Sequence, residues 1–198
     1  MKQIIFDVET IKTFDQVGGY YPEKLGISYI GVIKRDGFPE DGEVKEQYYG
    51  FFENDIKNMW DMFEAADVVI GFNSEGFDLP AIQPYYHGNA LEFPSLDLMA
   101  RVKDSFGRRI GLDAIATQTL GTKKSGHGLD AIEYYKNKEF DKLAKYCQKD
   151  VEITRDLYDY GRKNGKVKFL NKWNNLMTVE VDFSFTPPPT IATQMSLI

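Results

Sequence analysis

The 198-residue chain is 42% hydrophobic and holds fourteen Phe and twelve Tyr, enough apolar material for one compact domain with a sizeable core. No apolar run approaches the ~20 residues that span a bilayer, no signal-peptide pattern precedes the first strand, and the lone Cys147 excludes an internal disulfide or a cysteine-based zinc cluster, all of which points to a reducing, cytoplasmic setting. The formal charge of −6 counts against a nucleic-acid partner only until it is mapped: residues 1–100 hold 7 Lys/Arg against 18 Asp/Glu, whereas residues 101–172 hold 17 against 10.

Residues 3–8 read as a buried strand, and 26–35 and 45–52 as two more across the turn-rich DGFPEDGE (36–43), so an antiparallel meander opens the domain. Apolar residues at 56, 59, 60 and 63 predict a helix over 55–66, and a short buried strand over 67–72 follows it. Residues 77–88 look helical but are interrupted by Pro80 and Pro84. Four helical segments come next, over 95–102, 111–121, 128–137 and 139–163, the last closing on Asn164-Gly165. This order implies an α/β fold with a mixed central β-sheet flanked by α-helices. A domain over 1–172 leaves 173–198 as a C-terminal extension, in which TPPPT (186–190) is a proline linker.

The first strand, IIFDVET, carries an oddity. Its period of two sets Asp7 and Glu9 on one face, where two carboxylates repel and something must compensate them. Either the strand ends at Phe6 and the acids sit in a solvated turn, or they belong to a divalent-metal site. Two further patches favour the second reading. GFNSEGFDLPAI (71–82) sets Asp78 just beyond the fourth strand, with Asn73 and Phe77 before it, and YCQKDVEIT (146–154) sets Tyr146 and Asp150 four apart on one helix face. Metal-assisted phosphodiester cleavage needs this inventory, because carboxylates can hold two hard cations ~3.5–4 Å apart that activate a water and support the leaving oxygen. The basic second half would then supply a phosphate-tracking surface, although Lys-rich solvated helix faces give the same charge count.

In order along the chain, D-x-E in FDVET, N-x-x-x-F-D in NSEGFD and Y-x-x-x-D in YCQKD resemble the three motifs of the DEDDy-type 3′→5′ exonucleases of the RNase H-like superfamily, and the chain is similar over about residues 3–160 to the exonuclease domain of B-family DNA polymerases. The resemblance implies an RNase H-like fold in which Asp7, Glu9, Asp78 and Asp150 hold two Mg²⁺ or Mn²⁺ ions and Tyr146 positions the attacking water. It also implies that Thr10 contacts the terminal nucleotide through its backbone, and that Asn73 and Phe77 help to hold a single strand. The histidine variant of the family needs a histidine at position 145, which is lysine, and His127 lies too far from Asp150 to replace it. The activity implied is hydrolysis at single-stranded 3′ ends, of DNA in the first instance, with release of nucleoside 5′-monophosphates. No polymerase palm or fingers fit in the remaining chain, so a free-standing nuclease is expected. An exoribonuclease, and a non-catalytic nucleic-acid adaptor, remain as alternatives.

The terminal QMSLI resembles the short peptide by which bacterial replication and repair proteins bind the sliding clamp, with Gln194, Met195, Leu197 and Ile198 as its contacts and Ile198 departing from the usual phenylalanine. A disordered terminus is the competing reading. Among other tempting residues, Asp97 is expected to cap a helix rather than serve the site, and His87 and His127 lack a partner at metal-ligand spacing. Lys123, Lys124, Arg108 and Arg109 read equally as phosphate contacts or as solvated turns, and the pairs Tyr20-Tyr21, Tyr48-Tyr49 and Tyr85-Tyr86 as core or as base-stacking rings.

Overall fold

The computed structural model describes residues 1–42, 44–122 and 128–187. Its central sheet has five strands in the order β3-β2-β1-β4-β5, where β1 is Lys2–Thr10, β2 Ile27–Asp36, β3 Lys45–Phe52, β4 Val68–Gly71 and β5 Ser95–Asp97. The expected meander is present, with β1, β2 and β3 antiparallel, and β4 and β5 add in parallel to give the mixed sheet. Helices cover both faces, so most of β1 is buried on both sides, its polar Asp7 and Glu9 included in whole or in part.

Alternation along β1 divides the core in two. Ile4, Phe6 and Val8 pack with Ile56, Phe63, Leu79 and Ile82 from the segment that includes α2 (Trp60–Glu64) and α3 (Asp78–Ile82). Ile5 points the other way, into a cluster built by α4 (Leu98–Phe106), α5 (Leu112–Leu120), α6 (Gly128–Lys136) and the long α7 (Phe140–Asn164). Asp7 and Glu9 share the parity of Ile5, which is the face that α7 crosses.

Two devices fix α7 against the sheet. Gly31 on β2, opposite Asp7 in the register, leaves room for the helix: a Cβ there would lie 2.9 Å from a Val151 methyl and 3.0 Å from the Cys147 sulfur. Farther along, the fully buried Arg35 donates two hydrogen bonds to Asp159, at 2.7 and 2.8 Å, and two to the Gln3 side-chain oxygen. A buried guanidinium paired in this way is costly to strand.

Three segments differ from the sequence reading. Residues 95–102 are not one helix; Ser95–Asp97 pair with β4, and Asp97 then caps α4 by accepting from the Met99 and Ala100 amides. The helix expected over 55–66 is split into a 3₁₀ segment, Glu53–Asn58, and the short α2. Beyond α7, β6 (Lys166–Leu170) and β7 (Leu176–Glu180) form an unforeseen hairpin. The boundary expected between residues 172 and 173 falls in its turn, and Val179, Val181 and Phe183 pack into the α7-side core. Among the described residues no helix is long and apolar enough to cross a membrane.

Gly31→Ala should cost about 1–3 kcal/mol, the usual penalty for overpacking, because the new methyl meets two buried side chains at or below 3.0 Å. A urea midpoint equal to wild type would mean that α7 can retreat from β2 freely.

Candidate active site

At its carboxyl end β1 parts from its parallel neighbour. Pairing with β4 runs only from Gln3 to Ile5, so the next residues of β1 have lost that strand. Asp78 fills the opening: its Oδ1 accepts from the Val8 amide at 3.0 Å. Asp78 is brought there by a tight turn in which Asn73 adopts a left-handed conformation (φ 68°) and its carbonyl accepts from the Gly76 and Phe77 amides. Asp97 holds the same turn from below, accepting from the Asn73 and Glu75 amides at 2.8 and 3.2 Å while it caps α4. It positions the turn; the expected capping role is only half of what it does.

On the other side, α7 lays Cys147 against the strand, with its sulfur 3.5 Å from the Asp7 carbonyl oxygen and 3.7 Å from Asp7 Oδ2. One residue earlier stands Tyr146, whose phenol hydrogen-bonds to Asp150 one turn later. Candidate ligand atoms of Asp7, Glu9 and Cys147 lie within 4.8 Å of one another. Beyond them the register of β1 against β2 shifts between Glu9 and Thr10, a local irregularity at the strand end.

Burial and like charge act together on these acids. Asp7 is pushed up from the ordinary carboxylate value of 3.8 to about 7, first by burial and then by Asp150. Glu9 is raised well above its usual range by burial, then by Asp7, Asp150 and Asp78. Asp78 rises by burial, Asp7 and Asp97, against which the Val8 amide pulls down. Among the described residues no cation enters the causes acting on Asp7, Glu9 or Asp78. A buried set of hard oxygen donors that repel one another fits a divalent cation, and the adjacent thiol, itself raised by burial and by Asp7, is a protonated neighbour rather than a competing soft ligand.

Asp7, Glu9 and Asp150 open on a cleft of about 330 Å³ that Thr10, Phe77 and Tyr146 also line, while Asp78 is buried behind it and is not among the lining residues. Phe14 packs edge-on against Phe77 at 6.0 Å and stacks on Tyr20 at 4.5 Å, and the Tyr20 hydroxyl donates to the Gly76 carbonyl, so the aromatic wall is tied to the turn that carries Asp78. Thr10 is buried, and its hydroxyl donates to the Lys12 carbonyl. Asn73 shapes the turn beneath and is not among the cleft residues. Phe14, Cys147 and the α6 residues Leu129 and Ile132 were not singled out from sequence, whereas Tyr20 was read as core or as a base-stacking ring; for Cys147 only its adjacency to Tyr146 gave a signal.

The remaining candidates lie elsewhere. His87 is exposed beside Glu64, and Arg108 and Arg109 are exposed beyond α4. Tyr85 and Tyr86 bond to Glu53 and Glu64, Tyr48 donates to Tyr29, and Tyr49 bonds to Gln47. Lys123, Lys124, His127, Gln194, Met195, Leu197 and Ile198 are outside the described residues.

The raised acids set a pH dependence. The unfolded chain releases the Asp7 proton near 3.8 and the folded chain near 7, so the folded state holds the extra proton between these values and loses stability as pH rises through them. In EDTA the thermal midpoint should therefore fall between about pH 4 and about pH 7, and Asp7→Asn should flatten that fall. An identical slope in Asp7→Asn protein would exclude Asp7 as its source.

Comparison with known proteins places this geometry. The model of the RNase H superfamily matches residues 4–161. The family B DNA polymerase from the hyperthermophilic archaeon Pyrobaculum calidifontis is similar in structure over 81% of this chain, with a TM-score of 0.57 and 22% identity, a likeness that shows the fold. The match takes up 24% of the polymerase chain, so this protein corresponds to about a quarter of that length. No curated protein matches the sequence. A mixed five-stranded sheet with helices on both faces, together with a family match that runs from β1 to the last turn of α7, means that the chain belongs to the RNase H superfamily.

Proposed function

We propose that the protein is a metal-dependent 3′→5′ exonuclease that hydrolyses single-stranded ends, of DNA in the first instance, and releases nucleoside 5′-monophosphates. The observation that carries this reading is the placement of Asp7, Glu9 and Asp150 on one cleft, with Asp78 bonded to the Val8 amide between the first two, so that acids from three distant segments gather at the end of β1. Asp7, Glu9, Asp78 and Asp150 would hold two Mg²⁺ or Mn²⁺ ions, which when bound supply an activated water and offset the charge of the departing 3′ oxygen.

The chain's own residues do the rest. Tyr146 keeps its phenolic proton, since burial and then the Asp150, Glu9 and Asp7 charges raise its pKa; with that proton bonded to Asp150, the phenolic oxygen is left as an acceptor able to orient a water. Its bond to Asp150 fixes the ring. Thr10, Phe77 and Phe14 line a cleft that suits a terminal sugar and base, with the Phe77 ring offering a stacking face and the Thr10 backbone a polar contact. Lys145 and Lys149, exposed on α7 one residue before Tyr146 and Asp150, are suited to the phosphates of an incoming strand. Cys147, reduced and buried, accords with the proposed cytoplasmic setting.

Asp7→Ala or Asp150→Ala should abolish cleavage in folded protein, whereas Tyr146→Phe should slow it by roughly one to three decades with metal binding nearly intact. The assay is degradation of 5′-labelled single-stranded DNA and RNA of one sequence in Mg²⁺, Mn²⁺ or EDTA. Activity retained in Asp7→Ala would end the assignment, a preference for the RNA would make the protein an exoribonuclease, and binding without cleavage in any metal would make it an adaptor.

We further propose, from sequence, that residues 194–198 dock on a bacterial sliding clamp, with Gln194 and Leu197 as the main anchors and the prolines at 187–189 as part of the tether. A peptide of the last dozen or so residues should bind the clamp with micromolar affinity, about −8 kcal/mol, by calorimetry. Absence of heat at high micromolar concentration would return the segment to an ordinary terminus.

A further inference from the structure

Beside the cleft, on the same face of the sheet, is a second recess of about 310 Å³ bounded by Ser28, Phe52, Glu53, Asn54, Tyr135 and Phe140. Three rings form its walls: Phe140 meets Phe52 edge-on at 5.6 Å and Tyr135 at 6.1 Å. Phe140 opens the first turn of α7 and is 42% exposed, so part of its ring is open to solvent at the recess. Among the described residues the Ser28 hydroxyl, fully buried at this recess, has no hydrogen-bond partner. A buried hydroxyl left in that state is costly, and a ligand group that reaches it recovers the loss.

The rim is polar and held in place. The Ile27 amide donates to the Tyr85 hydroxyl at 3.1 Å, and that hydroxyl donates to Glu53 Oε1 at 2.8 Å, so the Glu53 carboxylate is oriented before anything binds. Flat apolar walls, one buried hydroxyl and an oriented carboxylate with a nearby amide match a heteroaromatic ring whose edge carries both donors and acceptors.

The recess adjoins the cleft through two elements. α6 gives Ile132 to the cleft and Tyr135 to the recess, and the chain entering β2 gives Leu25 to the cleft and, as the strand begins, Ser28 to the recess. Three residues of helix rise about 4.5 Å, less than the reach of one nucleotide. We propose that this recess is a nucleobase subsite, in which one unpaired base of the substrate strand, a short way upstream of the end in the cleft, stacks on Phe140 and hydrogen-bonds to Ser28 and Glu53. The inference rests on the nuclease reading above. It adds a specificity element: the enzyme reads a base that it is not yet cutting, and it prefers an unpaired strand because a paired base cannot enter.

The test is binding of single-stranded oligodeoxynucleotides in EDTA, by fluorescence anisotropy, with one abasic residue walked inward from the 3′ end. Wild type should lose about tenfold in affinity at one internal position, the usual size of a base–aromatic stack, and Phe140→Ala should lose that internal penalty while keeping any penalty for an abasic residue at the terminal position held in the cleft. Ser28→Ala, which removes only the hydroxyl, should keep the abasic penalty and lose any preference among bases at that position. Cleavage of a dinucleotide in Mg²⁺, too short to reach the recess, should be unchanged in Phe140→Ala. A wild-type profile flat at internal positions, or an internal penalty that persists in Phe140→Ala, with cleavage intact, overturns the subsite and leaves the nuclease standing. Neither binding nor cleavage by wild type removes the nuclease reading, and the subsite with it.

Discussion

Mutual repulsion among carboxylates at the carboxyl end of β1 is the constraint on which the rest of this molecule depends. Asp7, Glu9 and Asp78 are buried or nearly so, each is raised by burial before anything else, and each then pushes on another. Isolated on a strand, such a set would splay or protonate. The fold keeps it together by fixing the backbone on every side, which leaves a hard divalent cation as the natural counter-charge.

That fixing is spread over elements distant in sequence. Gly31 admits α7 to the sheet opposite Asp7, and the Arg35–Asp159–Gln3 group anchors the same helix farther along. Asp97 ties the 73–75 turn to the start of α4, and Asp78 reaches from that turn to the Val8 amide. Each acid therefore sits on a rigid support, while the parting of β1 from β4 opens the crevice between them. Parallel sheets bind ligands in this position, outside the carboxyl ends of strands where neighbours diverge.

The walls of that crevice are apolar and aromatic where the floor is acidic. Phe14, Tyr20 and Phe77 form a linked stack on one side, and α6 supplies Leu129 and Ile132 on the other. On the proposed nuclease reading, a polyanion meeting the floor alone would be repelled, and the aromatic walls together with the exposed Lys145 and Lys149 of α7 would reverse the balance. The overall acidity of the chain is thus a poor guide to a partner, because Asp7, Glu9, Asp78 and Asp150 gather at one end of β1 while Lys145 and Lys149 stand exposed on α7 beside Tyr146 and Asp150.

Local pattern determined much of this. The meander, the buried strand 68–71, the long helix 140–164 and the pairing of Asp7 with Glu9, and of Tyr146 with Asp150, follow from periods of 2 and 3.6 and were legible in the sequence. Local pattern failed where a tertiary contact outweighed it. Ser95–Asp97 became a strand because β4 offered an edge, and β6 and β7 found each other across a turn and buried Val179 against the core, neither of which a short window can reveal. In the same way, Asp97 shows a cap in sequence but not the turn that it holds, and Cys147 and Ser28 become informative only when a strand, a helix and a loop have closed around them. Sequence alone determined which residues carry the charge; the tertiary structure decided how close they stand, because proximity between segments 70 and 140 residues apart is a property of packing and not of spacing.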